Sequence, residues 1–310
     1  ITKNKNMAKK NVTVFKVESA GIDEFSKILL NPNFYSAIEL DSLKTTELKF
    51  VEKNPNGTIT GLLVTTQKKG IPPAHTPGGD DYTAIPLDDG QGLAYPNTIL
   101  YDPHTGALYI ETNRIGVNEG RICEYFTSHA LKNGLTEFNI SLLPILKSEA
   151  YKRVDRMILI DSVECKIANP IQIIKDSAQN GSIRQFGALA RELNATKTMS
   201  FIFKSEEVTG GLSKSEILNM IKFFSRVISG TSTEYRNNKL KIIGRNHLEN
   251  EDMSTAEEVV DLLLDKIKGS FKLDEPNVAS HLLYTERKRG ITEVYSKFNR
   301  EVISIVGNKI

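Results

Sequence analysis

Lysine and arginine side chains concentrated in the middle third of this sequence form its most distinctive chemical pattern. Residues 151–250 contain 16 Lys and Arg against 10 Asp and Glu, a net charge of +6, whereas the whole chain of 310 residues carries +2. Cations gathered on one face of a protein attract the phosphate backbone of nucleic acid. The candidate DNA-binding residues are Lys152, Arg153, Lys214, Lys222, Arg226, Arg236, Lys239, Lys241 and Arg245.

The spacing of these cations predicts two elements that carry them. A helix is expected to begin at Ser213, which opens an S-x-x-E capping box. On this helix Lys222 and Arg226 lie four residues apart and share a face. Lys239 and Lys241 lie two residues apart and point to the same side of a predicted strand. If the helix and strand pack side by side, these cations form one stripe, and the alternative is a solvated basic surface without a ligand.

Asp161, Glu164 and Lys166 form a second, catalytic pattern. In restriction-type nucleases an Asp and an E-x-K pair hold a divalent metal beside the scissile phosphate, and the Lys positions the nucleophile. Glu164 and Lys166 share one face of a predicted strand, so a surface ion pair explains them equally well, while Asp161 points to the opposite face. No Cys/His cluster or zinc-protease motif accompanies them, and the sequence predicts no metal and no cofactor.

Length and composition predict a globular protein of about two domains. The chain is 39% hydrophobic and 25% charged, which is ordinary for such proteins. No apolar run approaches the ~18 residues of a membrane span. Cys123 and Cys165 are too few for a disulfide framework, so a reducing compartment, the cytoplasm, is expected.

The N-terminal part, residues 1–150, is predicted to be a mostly β, α+β domain. Its clearest signal is a β-hairpin over Asn97–Thr112, in which two apolar and aromatic strands flank a polar turn. A helix over 118–133 and a strand over 137–146 follow. The Pro- and Gly-rich segment 68–92 is expected to be a long loop.

The middle part, residues 151–250, is predicted to be a compact basic α/β sandwich, and residues 251–310 are predicted to add C-terminal helices that pack on the preceding domains. The predicted strands cover residues 156–168, 198–204 and 239–243, and the predicted C-terminal helices cover residues 252–268 and 284–306. The expected fold class is therefore α+β, with a β-rich N-terminal domain followed by this sandwich and the helices.

The arrangement of the elements resembles that of RexA-like and KwaB-like proteins of phage exclusion and defence. A strand that ends E-C-K-I-A-N-P (Glu164–Pro170) leads into a helix, and the strand Met199–Lys204 and the basic helix Ser213–Ser229 follow. The stretch Leu93–Val117 is similar to a segment of uncharacterised prophage proteins. The resemblance implies sequence-nonspecific DNA binding, dimerisation and a sensing role in defence against phage.

These observations together predict a cytoplasmic, homodimeric protein that binds the backbone of double-stranded DNA through a basic face. A membrane protein is the expected effector partner. Two alternatives stay open at this point. One is a metal-dependent nuclease that uses Asp161 or Asp155 with Glu164 and Lys166. The other is a non-enzymatic scaffold that binds a protein partner.

Overall fold

A computed structural model of the chain shows an α+β protein, as the sequence predicts. The structure describes residues 7–21, 24–168, 188–195, 198–205, 210–219, 221, 239–247, 255–261, 266–274 and 283–307. The chain divides into two units: residues 1–140 with 268–310, and residues 141–267. The divisions predicted from the sequence fall after residues 150 and 250. The C-terminal segment thus returns to the unit in which the chain begins.

Fourteen strands and four of the helices in the described part are numbered in chain order. The strands are β1 Met7–Ala20, β2 Ile38–Asp41, β3 Lys44–Lys53, β4 Ile59–Gln67, β5 Ala74–His75, β6 Tyr82–Thr83, β7 Leu93–Asp102, β8 Ala107–Thr112, β9 Asn139–Pro144, β10 Leu159–Ala168, β11 Thr198–Lys204, β12 Lys239–His247, β13 Thr255–Asp261 and β14 Lys268–Asp274. The helices are α1 Phe25–Leu29, α2 Glu119–Lys132, α3 Ser148–Arg156 and α4 Tyr284–Val306.

The sheet of the first unit is antiparallel and follows the order β14-β1-β8-β7-β4-β3-β2, with β9 pairing with β1 outside this order. The predicted hairpin is confirmed as β7 and β8. Its turn is built locally, because the Asp102 carboxylate accepts hydrogen bonds from the His104 N–H at 3.0 Å and the Thr105 hydroxyl at 2.9 Å. Gly106 follows with φ of +65°, which favours glycine.

Helices cover both faces of this sheet. On one face Phe25 of α1 makes edge-on ring contacts with Tyr101 of β7 and Phe126 of α2, at centroid distances of 5.2 and 5.0 Å. On the other face Tyr109 of β8 meets Tyr295 of α4 at 5.4 Å. Because successive strand residues alternate between faces, β7 and β8 are buried over most of their length and contact a helix on each side.

The second unit contains the antiparallel sheet β11-β10-β12-β13. Its core consists of inward-facing strand residues and one side of α3, and all of these side chains are buried. The buried residues include Ala150, Val154, Val163, Cys165, Leu240, Ile242 and Val260. The outer face of the sheet carries the charged residues of the same strands, so each strand alternates between core and surface.

Two predicted elements differ from the structure. The helix expected over 252–268 is wrong, because Thr255–Asp261 is the strand β13, paired antiparallel with β12. Val260 is buried and Val259 is 39% exposed, and this alternation is that of a strand. The strand expected to start at residue 156 begins at Leu159 instead, and the helix α3 precedes it. The predicted helix 284–306 is confirmed as α4.

Candidate phosphate-binding site

The candidate DNA-binding lysines and arginines that the structure describes lie on several elements of the second unit. Lys152 and Arg153 lie on α3, Lys214 begins a helical segment, and Lys239, Lys241 and Arg245 lie on β12. The remaining three, Lys222, Arg226 and Arg236, lie outside the described residues. The predicted stripe of Lys222 and Arg226 beside the β12 lysines therefore stays a prediction.

Three of these cations bind acceptors within the second unit. Arg245 donates to both carboxylate oxygens of Asp161, at 2.7 to 3.0 Å. Arg153 donates to Glu258 and, at 2.7 Å, to the carbonyl of Val259. The Lys214 ammonium group donates to the carbonyl oxygen of residue 155, at the end of α3. A cation held by an internal partner must give up that partner before it can bind a phosphate.

Strand β13 explains why the basic block is not a basic unit. It brings an acidic segment alongside β12, with Glu257 opposite Arg245 and Asp261 opposite Lys241. Residues 141–267 contain 18 Lys and Arg and 17 Asp and Glu, a net charge of +1, so most of the excess of residues 151–250 is balanced. Neighbouring opposite charges on a sheet face stabilise the pairing of the strands.

The residues of the alternative nuclease pattern lie on β10. Glu164 pairs across the sheet with Lys241, and Lys166 pairs with Lys239. The carboxylate of Asp161 is occupied by Arg245 at a register shift of the strand. Within the described ranges, no group of three or more His, Cys, Asp or Glu side chains is arranged to hold a metal ion.

The first unit contains a cavity of about 430 Å³ that is lined by lysines. We call it the lysine pocket. Strands β1 and β14 and helix α4 line it, and β14 is the last strand in the order of the sheet. The lining residues are Lys9, Asn11, Lys268, Gly269, Ser270, Glu293, Val294, Lys297 and Phe298.

Strand register brings the lining residues together from opposite ends of the chain. Asn11 of β1 pairs with Ser270 of β14, and the neighbouring pair Lys9 and Lys272 lies on the same face. On α4, the i,i+4 spacing places Lys297 beside Glu293. The pocket thus depends on one antiparallel strand pair and two turns of one helix.

Gly269 allows α4 to approach β14 closely at this point. A Cβ atom on Gly269 would meet a methyl carbon of Val294 at 2.5 Å and the ring of Phe298 at 3.0 Å. Such distances are shorter than van der Waals contact, so only glycine fits without a shift of the helix. The Phe298 ring therefore lies against the backbone of β14 at Gly269 and forms part of the pocket wall.

The lysines of the pocket differ in their surroundings from the arginines of the second unit. Lys9, Lys268 and Lys297 are exposed. None of the three forms an ion pair with a carboxylate in the part of the chain that the structure describes. Glu293 lies 4.0 Å from Arg289 on the exposed side of the helix. Three ammonium groups and one carboxylate give the pocket a positive balance, which suits an anionic ligand.

A buried ion pair fixes α4 on the sheet. Arg287 donates to one oxygen of Glu111, and both side chains are only 2% exposed. The other oxygen of Glu111 accepts hydrogen bonds from the Thr98 N–H at 3.1 Å and the Thr98 hydroxyl at 2.7 Å. Because α4 supplies half of the pocket wall, this pair also positions the pocket.

The start of α4 is held by a second polar contact. Lys288 lies 2.8 Å from the Glu52 carboxylate, and the Tyr284 hydroxyl donates to the same oxygen at 2.7 Å. The hydrogen bonds from Lys288 and then Tyr284 lower the pKa of Glu52 below its ordinary value. Burial raises the pKa of Tyr284, so its hydroxyl keeps the proton that it donates.

Sequence reasoning missed the lysine pocket because its residues lie in the two parts of the chain with negative net charge. Residues 1–150 and 251–310 each carry a net charge of −2. Lys9 and Lys268 are separated by most of the sequence, and only the pairing of β1 with β14 places them on one face of the same strand pair, four residues apart along it. The one local signal was the i,i+4 spacing of Glu293 and Lys297.

Comparison with known proteins identifies a family but no function. The model of a family described as a family of unknown function (DUF6731) matches residues 46–301. No curated protein matches the chain. Among the helices that the structure describes, none is long and apolar enough to cross a membrane.

Proposed function

The chain belongs to the DUF6731 family, whose function is unknown, and we propose that it binds nucleic acid by its phosphate groups in the lysine pocket. The observation that carries this proposal is the convergence of Lys9, Lys268 and Lys297 on one cavity, with no carboxylate partner among the described residues. Ammonium groups that are exposed and form no ion pair can meet phosphate oxygens without first leaving a carboxylate.

The proposal keeps the class of ligand predicted from the sequence and moves the site to the first unit. In the second unit, the ion pairs of Arg153 and Arg245 and the acidic strand β13 compete with phosphate for the same cations. The resemblance to RexA-like and KwaB-like proteins supports DNA as the nucleic acid. A sensing role in phage defence, a homodimer and a membrane-protein effector rest on that resemblance alone.

We also propose the cytoplasm as the compartment. Both cysteines are free thiols and both are buried. Burial raises the pKa of Cys165, so this thiol stays protonated and unreactive at neutral pH. Free thiols are usual in a reducing compartment.

The metal-dependent nuclease and the protein-binding scaffold stay alternative predictions. The nuclease requires Asp161 to leave Arg245 and turn to a metal beside Glu164. The scaffold requires an exposed apolar surface, for which Ile202 at 55% exposure and Val259 at 39% exposure on the second-unit sheet are candidates. Neither has an observation as direct as the three convergent lysines.

Fluorescence anisotropy with a labelled oligonucleotide tests the proposed function. The test variant replaces Lys9, Lys268 and Lys297 with Gln. Each phosphate contact adds about −0.7 (single strand) to −0.9 (duplex) to the slope of log affinity against log salt. The triple variant should therefore bind more weakly at low salt, and its slope should be shallower by about 2 to 3.

A matched variant with Gln at Lys152, Lys214 and Lys241 makes the same change of charge in the second unit. It should keep the affinity and slope of the parent if the lysine pocket is the site. Loss of binding in this second variant, with the pocket variant unaffected, would return the site to the basic block. Absence of binding to any oligonucleotide at low salt would refute the function itself.

A further inference from the structure

We infer that the lysine pocket takes a single unstacked nucleotide, with its phosphate on the lysines and its base against Phe298. This inference rests on the proposed function and names its ligand class: single-stranded nucleic acid or a free mononucleotide, in preference to duplex. The duplex ligand predicted from the sequence is the alternative that the experiment below tests.

The first argument is the form of the site. A duplex presents its phosphates as a line on a convex surface, and a protein meets them with a groove or a flat basic face. The lysine pocket is instead a local, partly open depression of about 430 Å³. That volume lies within the range of about 300–1,000 Å³ that is usual for small-molecule sites. A single nucleotide is a ligand of this size.

The second argument is the aromatic wall. Phe298 is half-buried, and the ammonium group of Lys297 lies over its ring at 5.3 Å from the centroid. The ring is thus partly exposed, and a base that stacks on the face covered by Lys297 displaces this ammonium group. Bases stack on such rings in proteins that bind single strands, and the same proteins track the backbone with cations. Val294 adds apolar surface next to the ring.

The third argument is the carboxylate of Glu293 in a pocket that is otherwise basic. A site for phosphate alone gains nothing from a carboxylate, because the two repel each other. A carboxylate does accept hydrogen bonds from the amino groups of bases and from ribose hydroxyls. Its position on α4, four residues before Lys297, divides the pocket into a cationic part and an acceptor part.

These features orient the ligand. The phosphate lies on the strand side of the pocket, where the paired residues Asn11 and Ser270 lie between Lys9 and Lys268 and offer further hydrogen-bond donors. The base and sugar lie toward α4. In a duplex the faces of the bases are stacked on each other, so the contact with Phe298 requires an unpaired nucleotide.

The experiment compares three ligands at equal total phosphate concentration: a labelled single strand, the matched duplex, and a single strand of abasic sites. The single strand should bind the parent protein about tenfold more tightly than either of the others, the lower range expected for one stacked base. Phe298→Leu keeps apolar volume beside Gly269. It should reduce binding of the single strand to the abasic level and leave abasic binding unchanged.

Phe50→Leu is the matched control, because Phe50 is 53% exposed and stacks on Tyr284 outside the pocket. It should bind all three ligands as the parent does. Glu293→Gln should strengthen binding of the abasic strand, since it removes a repelling charge, and should not strengthen binding of the normal strand to the same extent. Melting curves by circular dichroism check that each variant is folded.

Competition distinguishes recognition of the base from binding of phosphate alone. Displacement of the strand by a nucleoside monophosphate at lower concentration than by inorganic phosphate supports base recognition, and equal potency of the two contradicts it. Equal affinity of the parent for the single strand, duplex and abasic strand overturns the inference. If the triple lysine variant still loses that binding, the proposed phosphate-binding function survives. If no ligand binds, both fail.

Discussion

Removal of Arg287 from its buried ion pair should be among the most destabilising single changes in α4. Arg287→Met deletes the guanidinium group and leaves the Glu111 carboxylate in a site where both side chains are 2% exposed. Breaking a buried pair in this way costs about 3–5 kcal/mol. The two hydrogen bonds from Thr98 remain on the carboxylate, so the lower end of that range, about 3 kcal/mol, is expected.

The next residue of the helix provides the control. Lys288 pairs with Glu52, and these side chains are 30% and 45% exposed. An exposed pair contributes about 0–1 kcal/mol. Lys288→Met should therefore destabilise the protein by less than about 1 kcal/mol, although it removes the same charge one position away.

The double variant Glu111→Gln/Arg287→Met tests whether the loss of stability comes from the buried charge that is left without its partner. With both charges removed, no buried charge is left without its partner, so the double variant should be more stable than Arg287→Met alone. Urea unfolding followed by circular dichroism measures these differences, since the chain has no Trp for fluorescence. The reasoning fails if Arg287→Met and Lys288→Met lower the free energy of unfolding equally. It also fails if the double variant is destabilised by the sum of the effects of Glu111→Gln and Arg287→Met.

Two further predictions concern other parts of the fold. Burial lowers the pKa of His129 below its ordinary value of 6.5, and its Nε2 lies 3.0 Å from the carbonyl oxygen of Ser36. The unfolded chain therefore takes up this proton more readily. The contribution of His129 to the free energy of unfolding should be complete above pH 6.5. Below that pH the free energy of unfolding should fall by at most about 1.4 kcal/mol per pH unit. His129→Gln should reduce this slope in urea titrations between pH 7 and 5, and an unchanged slope would assign it to other groups. In β13, Val260→Lys should unfold the second unit in thermal melts, because Val260 is fully buried, whereas Val259→Lys at 39% exposure should be tolerated. Equal effects of the two substitutions would contradict the assignment of Thr255–Asp261 to a strand.

The sequence was sufficient for elements whose signals are local. The hairpin of β7 and β8 was predictable because Asp102, Thr105 and Gly106 build its turn from neighbouring atoms. Helix α4 was predictable because its apolar residues repeat at helical spacing over 23 residues. The α+β class follows from such elements, since their types decide which layers can pack.

Strand β13 shows where local signals are insufficient. Adjacent valines at 259 and 260 fit one face of a helix as well as an edge strand whose outer face is partly covered. The outcome depended on the edge of β12, which offers backbone hydrogen-bonding groups to this segment. Tertiary context therefore overrode the periodicity.

The distribution of charge was decided in the same way. The sequence by itself determined how many cations and carboxylates the chain has and which elements carry them. Only the tertiary structure decided which charges meet, because strand pairing joins residues far apart in sequence. The pairing of β13 with β12 placed carboxylates beside Arg153 and Arg245, and the pairing of β14 with β1 placed Lys268 and Lys9 on one face of the same strand pair. Coulomb interactions depend on distance in space, so the basic block of the sequence and the lysine pocket of the fold are different places.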